Sequence, residues 1–111
     1  MRRVNELLRE VIAEELRNLK DPAIGFVTIT AVDTSPDLRN AHVFYTIFGS
    51  EEEKVASSAG LERATPHLRS RLGAQVRLKY TPALHFKVDS SVEYGMRIES
   101  LLRELGDDDE L

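Results

Sequence analysis

A proline stands inside an otherwise regular helical stripe, and it limits what the surrounding chain can become. Leu61, Ala64, Leu68 and Leu72 recur at the spacing of one helix face, and Pro66 falls among them in "ERATPHLRSRLG", residues 62–73. A proline in a helix interior removes one backbone hydrogen bond and clashes with the carbonyl four residues back, at a cost of about 3 kcal/mol or more. Thr65-Pro66 also reads as a helix start, with Thr at the cap and Pro at the first helical position. The sequence therefore predicts a helix to about Ala64, a break at Thr65, and a second helical piece over 66–72 closed by Gly73. The stripe stays in phase across the break, so the two pieces are expected to lie on one core face as a kinked helix. A restarted helix would expose N–H groups near Thr65, flanked by Arg63, His67, Arg69 and Arg71, an arrangement suited to phosphate.

The remaining pattern surrounds this helix with a small sheet. Val4, Leu7, Leu8, Val11, Ile12, Leu16 and Leu19 predict a helix over 3–19, ended by Pro22. The β-branched runs 25–33 and 39–48, separated by "TSPDLRN", predict an antiparallel hairpin with a longish loop. Gly49-Ser50 followed by three glutamates predicts the start of the next helix. Residues 76–88 alternate, with apolar even positions and with Arg77, Lys79, His85 and Lys87 on the odd ones, which predicts a strand with one core face and one basic face. Pro82 suggests an edge position, a bulge or a division into two short strands there. Tyr80 and Phe86 share the apolar parity and are assigned to the core. Ser90 or Ser91 can cap a last helix with Tyr94, Ile98, Leu101, Leu102 and Leu105 on one side, ending at Gly106. The expectation is a single α+β domain over 1–106, helices on one face of a three-stranded sheet, followed by a disordered acidic tail at 107–111.

Charge narrows the function. The 111-residue chain carries a formal charge of −4, yet residues 63–88 hold six Lys or Arg and no acid. An acidic chain with one wholly basic segment has a local field that its overall charge conceals, and RNA contact is the expected use. The candidates are Arg63, Ala64, Thr65, Pro66, His67, Arg69, Arg71, Arg77, Lys79, His85 and Lys87. Arg2, Arg3, Arg9 and Arg39 are possible additions, although Glu6 and Glu10 dilute the first three. The absence of cysteine excludes disulfides and thiolate metal sites. His42, His67 and His85 are far apart in sequence, and His85 with Asp89 supplies too few ligands for a metal. His85 with Ser90 or Ser91 lacks the orienting acid of a triad. No glycine-rich nucleotide loop occurs. No catalytic residue, metal, cofactor or small-molecule substrate is expected. No apolar run reaches membrane-spanning length, and "MRRVNELLREV" lacks the apolar core of a signal peptide, so a cytoplasmic protein is expected. The competing reading is a protein–protein adaptor that uses the same fold without touching RNA.

"LKDPAIGFVTITAV", "SPDLRNAHVF" and "YTPALHFKVDSSVEYGMRIESLL", in this order, resemble the bacterial ribosome-binding factor A family, over about residues 3–105. The resemblance implies a KH-like fold of the second topological type and a non-enzymatic, monomeric factor. It implies binding to the small (30S) ribosomal subunit and its 16S rRNA, help in late maturation including 5′-end processing, and an association with cold adaptation. It also implies that an alanine-centred kink stands where ordinary KH domains carry G-x-x-G; Ala64 matches that alanine, and no two glycines here are three apart. Many members have glycine two residues further on. Pro66 occupies that place, which implies a stiffer break.

Overall fold

The computed structural model describes residues 1–90. The predicted last helix and the acidic tail lie outside the described residues. Within them the order is α1 (Arg2–Asn18), β1 (Phe26–Thr34), β2 (Asn40–Phe48), α2 (Glu51–Gln75) and β3 (Ala83–Val88). The strands form one sheet in the order β1-β2-β3, with β1 antiparallel and β3 parallel to β2.

Side-chain periodicity explains the layering. α1 buries Leu8, Ile12 and Glu15, and α2 buries Ser57, Gly60, Leu61, Leu68 and Leu72, each set on one helix face. On β2 the alternate residues Ala41, Val43 and Tyr45 are buried, and they meet Ile29 and Val32 of β1 and Leu84 of β3. Both helices therefore cover the same face of the sheet, as the sequence predicts. A bulge at Thr30 lets Ile29 and Val32 both face inward although they are three residues apart.

Three sequence expectations need correction. First, α2 does not stop at Ala64 and restart at Pro66; it is one helix of 25 residues with Pro66 inside it. Thr65 is not a cap. Its hydroxyl donates to the carbonyl of Leu61 at 2.8 Å, the back-bond of a residue inside a helix. Pro66 is exposed, as is Glu62, so the missing proline N–H falls on the solvent side of the helix rather than in its buried stripe. The buried stripe runs on unbroken beneath it. Second, Gly73 does not close the helix. It sits where the Thr81 side chain approaches, 3.0 Å from where a β-carbon would lie, and Val76 is the C-cap, its N–H donating to Leu72. Third, the strand predicted over 76–88 is formed only over Ala83–Val88. Pro82 has no N–H to give, and the ladder begins one residue later, where the N–H of Ala83 donates to the carbonyl of Arg39 at 2.8 Å.

Loops are pinned by polar side chains. Buried Ser57 accepts from the N–H of Gly25 at 3.0 Å and donates to the carbonyl of Ala23 at 3.3 Å, so α2 holds the chain that leaves α1. Glu15 of α1 accepts from Arg71 at 3.3 Å and from Gln75 at 2.5 Å, joining the two helices. Ser50 and Glu53 form a reciprocal capping box at the start of α2.

Two outcomes are expected. A β-carbon at Gly60 would lie 2.6 Å from Cγ1 of Ile24. Gly60→Ala should destabilise the fold by about 1–3 kcal/mol through overpacking, despite alanine's better helix propensity. Urea unfolding would read this, and a gain in stability would show that α2 is not pressed against Ile24. Separately, the N–H and hydroxyl of Ser50 hold the Glu53 carboxyl below its ordinary value of 4.5. A depressed folded value contributes stability that is complete above that pH and is lost as pH falls through the folded value. The stability gap between the native chain and Glu53→Gln should therefore close as pH drops below about 4.5 in thermal scans. A gap that stays constant would contradict the capping role.

Candidate nucleic-acid interface

The basic residues divide by what already holds them. Arg63 faces Asp21 at 3.6 Å and Arg71 faces Glu15 at 3.3 Å, so these two cations on α2 turn toward α1 and its exit loop and are balanced by acids. Arg69 leaves α2 on a different side. Its Nε donates to the carbonyl of Pro82 at 3.2 Å and its guanidinium to the carbonyl of Thr81 at 2.7 Å. That contact fixes the segment between α2 and β3, and no acid among the described residues pairs with the arginine. His67 is exposed beside Pro66, away from the buried stripe. Ala64 and Thr65 are half-buried. The N–H groups expected to open at Thr65 are absent, because the helix does not restart there.

Among the described residues, the segment after α2 carries Arg77 and Lys79 with no acid in ion-pair contact. Arg77 and Lys79 lie between α2 and β3, not on a strand face with His85 and Lys87. Tyr80, expected in the core, is instead 37% exposed. The Arg39 guanidinium lies over its ring, 4.4 Å from the centroid, and the Lys79 ammonium lies 5.6 Å away. Arg39 also reaches Asp37 at 3.9 Å, whose carboxyl is held below its usual range by the Ser35 hydroxyl and the Arg39 N–H.

Register places these groups at one end of the sheet. Asn40 at the start of β2 pairs with Ala83 at the start of β3, and Thr34 at the end of β1 pairs with Ala41. The N–H of Thr34 donates to Asn5 at 3.0 Å, which brings the first turn of α1 to the same end. Arg2 and Arg3 are exposed on that turn, whereas Arg9 is held by Glu6 at 2.9 Å. Arg2, Arg3, Arg39, Arg69, Lys79 and Tyr80 thus share one pole of the molecule. His85 and Lys87 lie on the face of β3 opposite α1 and α2. His85 meets His42 of the adjacent strand with ring centroids 5.3 Å apart and bonds Asn40 at 2.9 Å. The sequence alone could not join these histidines, because their meeting depends on parallel pairing of β2 with β3. Among the described residues, no three His, Cys, Asp or Glu come together as a metal site, and no helix is long and apolar enough to cross a membrane.

Replacing Arg69 should therefore act on the fold before it acts on any ligand. Arg69→Ala is expected to cost about 0.5–1.5 kcal/mol by removing the two bonds to the Thr81 and Pro82 carbonyls, and lysine, which lacks the guanidinium fork, should restore it incompletely. Denaturant unfolding of both variants checks this; unchanged stability would free Arg69 for a purely surface role.

Known proteins share this architecture. The chain matches the ribosome-binding factor A family over residues 1–102. It is 49% identical over 109 residues to ribosome-binding factor A of Brevibacillus brevis, covering 97% of this chain and 90% of that one. It is 45% identical over 104 residues to the Geobacter sulfurreducens protein, covering 93% and 88%. The crystal structure of ribosome-binding factor A from Thermus thermophilus superposes with a TM-score of 0.69 at 31% identity, covering 78% of this chain and 92% of that one. A homology model of the Thermus protein, fitted into a cryo-EM map of a 30S complex, superposes with a TM-score of 0.64 at 30% identity, covering 78% and 91%. These are binding factors and not enzymes, and the chain belongs to the ribosome-binding factor A family.

Proposed function

We propose that the chain is an assembly factor that binds the small ribosomal subunit through 16S rRNA. It acts as a monomer in the cytoplasm, in late maturation that includes 5′-end processing, and it serves growth in the cold. Residues 1–106 form its single domain, with 107–111 as an acidic tail. Family membership supports the class of partner, as does the 30S complex of the Thermus relative. The observation that carries the RNA contact is the pole where Lys79 and Arg39 lie against an exposed tyrosine, with Arg69 bonded to the next residue, Thr81, and Arg77 on the same connection. Phosphates supply affinity to such a surface, and an aromatic ring or guanidinium plane can stack an unpaired base.

Binding alone does not drive maturation. A factor shifts rRNA between two conformations only by its differential affinity for them. The factor must therefore hold immature subunits more tightly than mature ones, or cover a site that mature subunits need.

Salt dependence and charge reversal test the contact. Of the six cations in 63–88, Arg63 and Arg71 are balanced by acids, which leaves about four for phosphates. Log K for small subunits should then fall with log[salt] with a slope of about −3 to −4. Arg77→Glu, Lys79→Glu and Lys87→Glu together should abolish co-sedimentation at moderate salt while leaving the circular dichroism spectrum unchanged. These three positions are preferable to Arg69 and Arg71, which support the fold. A flat slope, or binding retained by the folded triple variant, would favour the adaptor reading.

A further inference from the structure

We infer that the opposite pole of the sheet is a second docking surface, built for a basic protein segment that carries an apolar side chain. This rests on the reading that the first pole takes the rRNA of a subunit. Phe26 and Phe48 are direct cross-strand partners on the face of the sheet opposite α1 and α2, and they are 79% and 83% exposed. Two phenylalanines facing each other across a strand pair, both open to solvent, contribute almost nothing to the core. They form the centre of an apolar patch that single exposed side chains would not make. Aromatic residues anchored on rigid strands are the usual energetic centre of a protein contact.

The rim on the Phe48 side states the charge of the occupant. Phe48 is followed by Gly49-Ser50 and then by Glu51, Glu52 and Glu53 in the first turn of α2. The Glu53 carboxylate lies against this corner, accepting from the N–H of Ser50 at 2.9 Å. Val55, 69% exposed, shares a helix face with Glu51 and Glu52. Among the described residues Glu51 pairs with Lys54, at 3.7 Å, and it remains open to water. A nucleic acid could stack bases on the phenylalanines, but every base brings a phosphate against three carboxylates. A second copy docking by two-fold symmetry would oppose acid to acid. A lysine- or arginine-rich protein segment meets both demands, with cations on the glutamates and an apolar side chain between Phe26 and Phe48. From Asn40 to Phe48 the strand advances about 26 Å at ~3.3 Å per residue, so the two poles can be occupied at once.

Purified small-subunit proteins, each tested singly against the immobilised full chain at low salt, provide the probe. One or a few basic proteins should bind. Phe26→Ser with Phe48→Ser should weaken them at least tenfold, and so should Glu51→Lys with Glu52→Lys, a variant that keeps both phenylalanines in place. The Arg77, Lys79 and Lys87 reversal should leave this binding intact while losing subunits, so failure at one pole is distinguishable from failure at the other. The proposal is overturned if no protein binds, or if binding survives both corner variants. It is also overturned if the phenylalanine variant instead loses binding to a twelve-residue oligouridylate, or loses a self-association seen by sedimentation velocity.

Discussion

The unbroken passage of α2 through Pro66 is the constraint on which the rest of the arrangement depends. A proline costs a helix one hydrogen bond and some steric room, and the cost is greatest where the freed carbonyl is buried. Here the ring and Glu62 both lie on the solvent side, so water can take the place of the missing donor. Leu61, Leu68 and Leu72 then form one buried row that spans both halves of the helix. Because the row is continuous, Ser57 near one end and Gln75 at the other are fixed relative to each other. α1 is held at both places, through the loop that Ser57 pins and through Glu15.

The same helix sorts the arginines. Their positions around its axis decide whether they meet an acid of α1 or its exit loop, as Arg71 and Arg63 do, or a carbonyl of the chain entering β3, as Arg69 does. A basic stretch in sequence is thus only partly a basic surface. Among the described residues, the cations without an acid partner come mainly from the connection after α2, and Arg39, which also reaches Asp37, lies over Tyr80 beside them. The charges therefore separate along the sheet, with a group of cations where β2 begins and the glutamates of the first turn of α2 where it ends. A factor of this kind can present phosphate-seeking and cation-seeking surfaces without either neutralising the other.

Periodicity and cap chemistry, which act over a few residues, are enough to locate the α1 stripe, the hairpin, the Ser50 start of α2 and the shared covered face. Sequence patterns mislead where a distant contact overrides a local rule. Thr65-Pro66 is a good helix start by propensity, but the buried leucines on both sides make one helix the better-packed solution. Residues 76–82 alternate like a strand, yet Val76 finishes α2 and Pro82 denies the ladder a donor. Tyr80 follows the apolar parity and is nonetheless exposed, because parity has no meaning outside a strand. Nor does the sequence distinguish a basic residue with an acid partner from one without, since the partners of Arg63 and Arg71 lie more than 40 positions away.

The absence of native cysteine permits the most direct test of the two-pole account. A single cysteine at Ser70, beside Arg69 and Arg71 on α2, or at Glu52, at the acidic end, can carry a tethered iron chelate that cuts nearby RNA. The account predicts that the chain bound to small subunits cleaves 16S rRNA from position 70, and cleaves weakly or not at all from position 52. Equal cleavage from both positions, or cleavage confined to position 52, would contradict it.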